Sequence, residues 1–105
     1  MSALRRYEIL LPLFFNDGTP VPETVLAETF AELRERFGAA SWETQVLRGE
    51  WREGANVYQD NLTRLFVDVA DKGEYREFFK EFKERLKTRF HQLDVWITSH
   101  PIDLI

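Results

Sequence analysis

The chain has 105 residues, 44% hydrophobic and 14% aromatic, with nine Phe, three Trp and three Tyr. That content builds a single domain, residues 1–105, around one core, and it excludes disordered and fibrous classes. Fourteen basic against eighteen acidic residues leave a net charge of −4, which disfavours bulk attraction to nucleic acid or anionic lipid, and the absence of Cys excludes disulfides, thiolate metal sites and cysteine nucleophiles.

At the N-terminus Arg5 and Arg6 precede an apolar run, but Glu8 and Pro12 interrupt it. Asn16-Asp17-Gly18 forms a turn where a signal-peptide cleavage site would follow. No stretch approaches the roughly 20 apolar residues of a membrane span. The expected address is the cytoplasm, with no membrane partner.

Residues 7–15 read as the first strand. Tyr7, Ile9, Leu11, Leu13 and Phe15 share an apolar face, and Glu8, Leu10, Pro12 and Phe14 share the other. Pro12 has no N–H for a ladder and predicts a bulge or a local break in pairing. Residues 16–20 are turn chemistry. A first helix begins near Pro22; Leu26, Phe30, Leu33 and Phe37 form its apolar stripe, and Gly38 caps it. Residues 41–47 read as a polar edge strand, and residues 48–61 as a long hairpin connection across which Trp51 and Tyr58 pack. Residues 62–70 are the third strand, with Arg64, Phe66 and Asp68 on its second face. Asp71 and Glu74 resemble a capping box opening a second helix, whose stripe is Tyr75, Phe78, Phe79, Phe82, Leu86 and Phe90. Residues 93–98 are the last strand, with Leu93, Val95 and Ile97 inward and Asp94, Trp96 and Thr98 on the reverse. His100-Pro101 is expected to break it, leaving a short apolar tail.

The order strand, helix, strand, strand, helix, strand predicts an α+β, ferredoxin-like βαββαβ fold. Its antiparallel four-stranded sheet carries both helices on one face. The other face holds Glu8, Leu10, Phe14, Arg64, Phe66, Asp68, Asp94, Trp96 and Thr98. Four of these are large apolar groups, more than a solvated face normally carries. The expected function is a homodimeric interaction domain joined through this face, with Leu10, Phe14, Arg64, Phe66, Asp68 and Trp96 as interface or ligand residues. The alternative is a small-molecule pocket or a cofactor-free enzyme in which Glu8 or His100 carries the proton. The plainer reading of these two has Glu8 paired with an Arg and His100 ending a strand.

Other chemistries lack support. His91 and His100 form no metal-ligand pattern, and no metal or cofactor is expected. Ser2, Ser41 and Ser99 sit in no nucleophile elbow, and no phosphate-cradling Gly loop exists. Phe14 and Phe66 fall where RNA-recognition domains stack bases, but residues 62–70 lack the basic-Gly-aromatic signature, so RNA binding is disfavoured. Residues 72–89 hold seven basic and four acidic side chains, with Arg76, Lys80, Lys83 and Lys87 as a basic stripe. A solvated flank suited to the helix dipole accounts for it. An acidic basin of Glu43, Glu50, Glu53 and Asp60, if it formed a groove, would point to a protein partner.

Gly49-x-Trp51, Tyr58-x-Asp60-Asn61 and Lys87-x-Arg89-Phe90-x-Gln92 together resemble a family of small bacterial ferredoxin-like proteins of unknown function. The resemblance implies the same α+β fold and carries over no catalytic role. It fits Arg89 fixing its helix end and Gln92 satisfying backbone groups in the turn that follows. At the level of fold alone the chain is also similar to dimeric α+β barrel proteins, such as small monooxygenases and isomerases, which pair open sheet faces.

Overall fold

The computed structural model describes residues 3–105. Six elements follow in order: β1 (Leu4–Pro12), α1 (Glu23–Phe37), β2 (Ser41–Glu53), β3 (Asn56–Ala70), α2 (Gly73–Arg89) and β4 (Trp96–Ile102). They make the ferredoxin-like βαββαβ arrangement, one antiparallel sheet ordered β2-β3-β1-β4.

The core lies between one sheet face and the two helices. Tyr7, Ile9 and Leu11 of β1 and Leu65, Val67 and Val69 of β3 alternate into it, meeting Leu26 and Leu33 of α1 and Phe79, Phe82 and Leu86 of α2. Its centre is aromatic: the Tyr7 ring stacks on Phe79 at 4.1 Å, and Phe37 stacks on Phe79 at 5.5 Å. Burying each such ring or leucine contributes about 1.5–3 kcal/mol. Arg89 locks the helices together. It reaches from α2 to both carboxylate oxygens of Glu32 on α1, at 2.8 and 3.0 Å, and donates to Thr29 Oγ1 at 3.0 Å. That partnership raises the Arg89 pKa. Its cause is first the hydrogen bond to Glu32, working against desolvation. The side chain thus joins two helices instead of fixing the end of its own.

Pro12 is tolerated because of where β4 stops. Leu13 N–H donates to Asn61 O, so the odd residues of β1 turn their backbone toward β3 and the even ones toward β4. The last β1–β4 pair is Leu10 with Trp96, and the missing Pro12 donor faces no strand. Beyond it, Gly18 at φ +87 and an Asp17 side chain accepting from Thr19 N and Oγ1 close the turn, and those bonds pull the Asp17 carboxyl below its ordinary range.

Four expectations are corrected. β1 begins at Leu4, so Arg5 and Arg6 belong to the strand. Residues 48–61 are no loose connection but the twinned outer halves of β2 and β3, paired from Arg48–Asn61 to Glu53–Asn56 around a two-residue turn. Gly54 sits at its first central position with φ +61, as a type II′ turn requires. This ribbon is wet on both sides, so it shows no apolar alternation. α2 opens without a side-chain cap: its N-cap is Lys72, and Asp71 pairs with Arg5 at 3.2 Å. Lastly, β4 starts at Trp96 and runs through His100 and Pro101. Pro101 fits because its backbone points away from β1, off the sheet edge, where no donor is needed. Leu93, expected inward, precedes the strand and is 96% exposed.

Between Glu43 and Leu47 the β2–β3 register shifts, and Thr44, Gln45 and Val46 bulge opposite Thr63. The buried Thr63 hydroxyl mends the gap. It accepts from Trp42 Nε1 at 2.9 Å and donates to Glu43 O at 2.8 Å.

Candidate functional site

The face without helices is built in rows by the register. Asp68, Arg6 and His100 form the first, and Phe66, Glu8 and Thr98 the second. Glu43, Arg64, Leu10 and Trp96 form the third, and Leu62 and Pro12 the fourth. Parity alone brings Glu8, Leu10, Arg64, Phe66, Asp68, Trp96 and His100 together on this face, as the alternation implies.

The first two rows are occupied by charge. Arg6 binds Asp68 through two bonds, at 2.7 and 3.0 Å, and its guanidinium lies over the Phe66 ring at 4.5 Å. The Asp68 hydrogen bond is the main cause of a raised Arg6 pKa. Phe66 is therefore half-buried under Arg6 and offers less bare ring than the sequence suggests. Arg6 is the residue that sequence reasoning missed. Its parity with Glu8 was the available signal, hidden by a strand start placed at Tyr7. Glu8 makes no ion pair among the described residues; Arg64 pairs with Glu43 at 3.7 Å instead.

Toward the fourth row the face turns apolar. Trp96 is 64% exposed, beside half-buried Leu10. The ribbon of β2 and β3 rises next to it, with Trp51 stacked on Tyr58 at 4.3 Å and Trp51 Nε1 donating to Asp60 at 3.1 Å. Leu10, Leu62, Trp51, Trp96 and Asp60 help line a cleft of about 480 Å³. Trp51, Asp60 and Pro12 also border a neighbouring hollow of about 380 Å³, which Phe14 lines. Phe14 itself lies past the end of β1, 45% exposed, in a bridge with Pro20. Glu8 and His100 line neither hollow.

Asp94 also lines the larger cleft, but not as a strand residue. It precedes β4, so strand alternation does not govern it, and it turns to Lys83 of α2 at 2.9 Å. That bond holds its carboxyl below the ordinary range. Of the acidic residues of the ribbon, Glu50 pairs with Arg48 at 3.2 Å and Asp60 accepts from Trp51. Arg64 Nε is buried with no hydrogen-bond partner among the described residues. Gln92 bonds Phe90 O at 3.1 Å, satisfying the helix end as its motif suggests. Ser2 lies outside the described residues. Among those described, no group of three or more His, Asp or Glu is placed to hold a metal, and no helix is long and apolar enough to cross a membrane.

No protein-family model and no curated protein matches the chain. Solved structures share its fold. A phage SAM lyase in complex with S-methyl-5'-thioadenosine superposes with a TM-score of 0.68 at 18% identity, over 99% of this chain and 92% of that one. The apo phage SAM lyase gives 0.67 at 20% identity, over 94% and 81%. The divalent cation tolerance protein CutA1 of Thermus thermophilus gives 0.64 at 19% identity, over 96% and 85%. At these identities the likeness is one of fold.

Proposed function

We propose that the chain is a self-associating interaction module, in which a second copy covers the open sheet face at its apolar end. The exposed indole of Trp96, beside Leu10 on a face that no helix covers, carries this reading. Charge supports a copy of the same chain as the occupant. The face sets Arg6 and Arg64 among Glu8, Asp68 and Glu43, a pattern of both signs that a second copy can complement. Glu8, which makes no ion pair among the described residues, is left for a basic group of the other copy. Leu10, Phe14, Phe66 and Trp96 supply the apolar contact, and Arg64 and Asp68 the polar rim. Native mass spectrometry tests this. The wild type is expected as a homo-oligomer and the Leu10→Glu, Trp96→Glu double variant as a monomer; a wild-type monomer would contradict it.

A second reading draws on the cleft of about 480 Å³ between Trp51, Trp96 and Asp60. Aromatic walls with a few polar groups suit a small planar ligand. The complex of the similarly folded lyase makes S-methyl-5'-thioadenosine the first probe. Saturable quenching of tryptophan fluorescence, lost in Trp51→Ala, would support binding. An enzymatic form assigns proton transfer to Glu8 and His100, which stand in adjacent rows of one face. Turnover that survives both Glu8→Gln and His100→Gln would end that assignment.

A further inference from the structure

We propose that the cleft between α2 and the outer edge of β4 binds a compact oxyanion of the phosphate type. This site is independent of the open face, lying on the helix side of the sheet. Arg76, Lys80 and Lys83, at i, i+4 and i+7 on α2, converge on a hollow of about 200 Å³ with Tyr7, Thr98 and Ser99. The inward docking of Phe79 and Phe82 turns this stripe toward the strand edge.

Three features distinguish the hollow from an ordinary solvated helix flank. First, its cations are available. Arg76 has no ion-pair partner among the described residues, while Lys80 and Lys83 hold only the surface carboxylates of Glu77, at 3.1 Å, and Asp94, at 2.9 Å. Such exposed pairs are weak and are displaced by a better ligand. Second, the backbone contributes donors. Trp96, Thr98 and His100 face β1, so the N–H groups of Ile97 and Ser99 point outward from an edge that no strand covers. Third, Tyr7 lines the hollow although only 3% exposed, and its hydroxyl has no hydrogen-bond partner among the described residues. The Ser99 hydroxyl accepts from Arg5 at 3.1 Å and retains its own proton to donate. Cations, hydroxyls and backbone N–H groups around one small space are what a multiply charged tetrahedral anion requires, and no carboxylate lines that space.

The test is an NMR titration of the full chain with sodium phosphate, against sodium chloride at matched ionic strength. Saturable shifts are expected at the Ile97 and Ser99 amides. Arg76→Gln is expected to weaken binding by about tenfold. Tyr7→Phe keeps the stacked ring while removing the hydroxyl, and is expected to weaken binding by a smaller factor. Lys87→Gln, on the same helix but outside the hollow, is expected to leave binding unchanged. The same titration with glycerol 3-phosphate separates a phosphomonoester ligand, which binds more tightly than phosphate, from free phosphate, which binds no less tightly. Shifts that fail to saturate, that chloride reproduces, or that persist unaltered in Arg76→Gln would overturn the proposal.

Discussion

The two faces of the sheet come from the same strands, one residue out of phase, and they are held by different forces. On the helix side, Ile9, Leu11, Leu65 and Val67 are sealed by α1 and α2, and water is excluded. On the open side the rows pass from the Arg6–Asp68 ion pair at one end to the exposed Trp96 and its apolar neighbours toward the other. The first face makes the fold; the second is the one proposed to meet another copy. A side chain lost from the first should cost stability, and one lost from the second should cost association.

Phe82→Ala strikes the first face hardest. It should destabilise the fold by about 3–5 kcal/mol, read as a lowered urea midpoint, because a fully buried ring leaves a cavity. Thr63→Val should cost about 1–3 kcal/mol, since Trp42 Nε1 and Glu43 O lose their shared partner while the shape is kept. Trp96→Ala lies on the other side of the comparison. Measured at dilutions where copies are separate, it should change stability by no more than about 0.5 kcal/mol.

The smallest effect is a titration. Asp94 is held below its ordinary value of 3.8 by the Lys83 bond. A lowered carboxyl contributes stability above its unfolded pKa and loses it as pH falls through the folded one. The Asp94 carboxyl resonance should therefore titrate at lower pH in the wild type than in Lys83→Met. Equal midpoints would mean that the pair does not persist in solution.

The element order and the central place of β1 and β3 were legible because the apolar alternation of residues 7–11 and 63–69 and the aromatic stripe of α2 each report one buried face. The outer half of the hairpin was illegible because neither of its sides is buried, and the bulge at residues 44–46 broke the phase before it. His100-Pro101 misled because a proline pattern does not say which edge is free. On the open face, parity placed Leu10, Arg64, Phe66, Asp68 and Trp96 together. It missed Arg6, whose pairing with Asp68 and cover over Phe66 depend on a register that one strand cannot reveal. Asp94 borders the cleft, but it sits outside the strand to which alternation, extended past the strand's end, assigned it.

Sedimentation equilibrium on the wild type and on Trp96→Glu, each over a wide dilution series, addresses the open face most directly. Self-association through this face predicts a wild-type mass of at least two chains that falls on dilution, and a single-chain mass for Trp96→Glu with the fold intact by circular dichroism. A wild type that sediments as one chain at every concentration, or a Trp96→Glu variant that associates as strongly as the wild type, would contradict it.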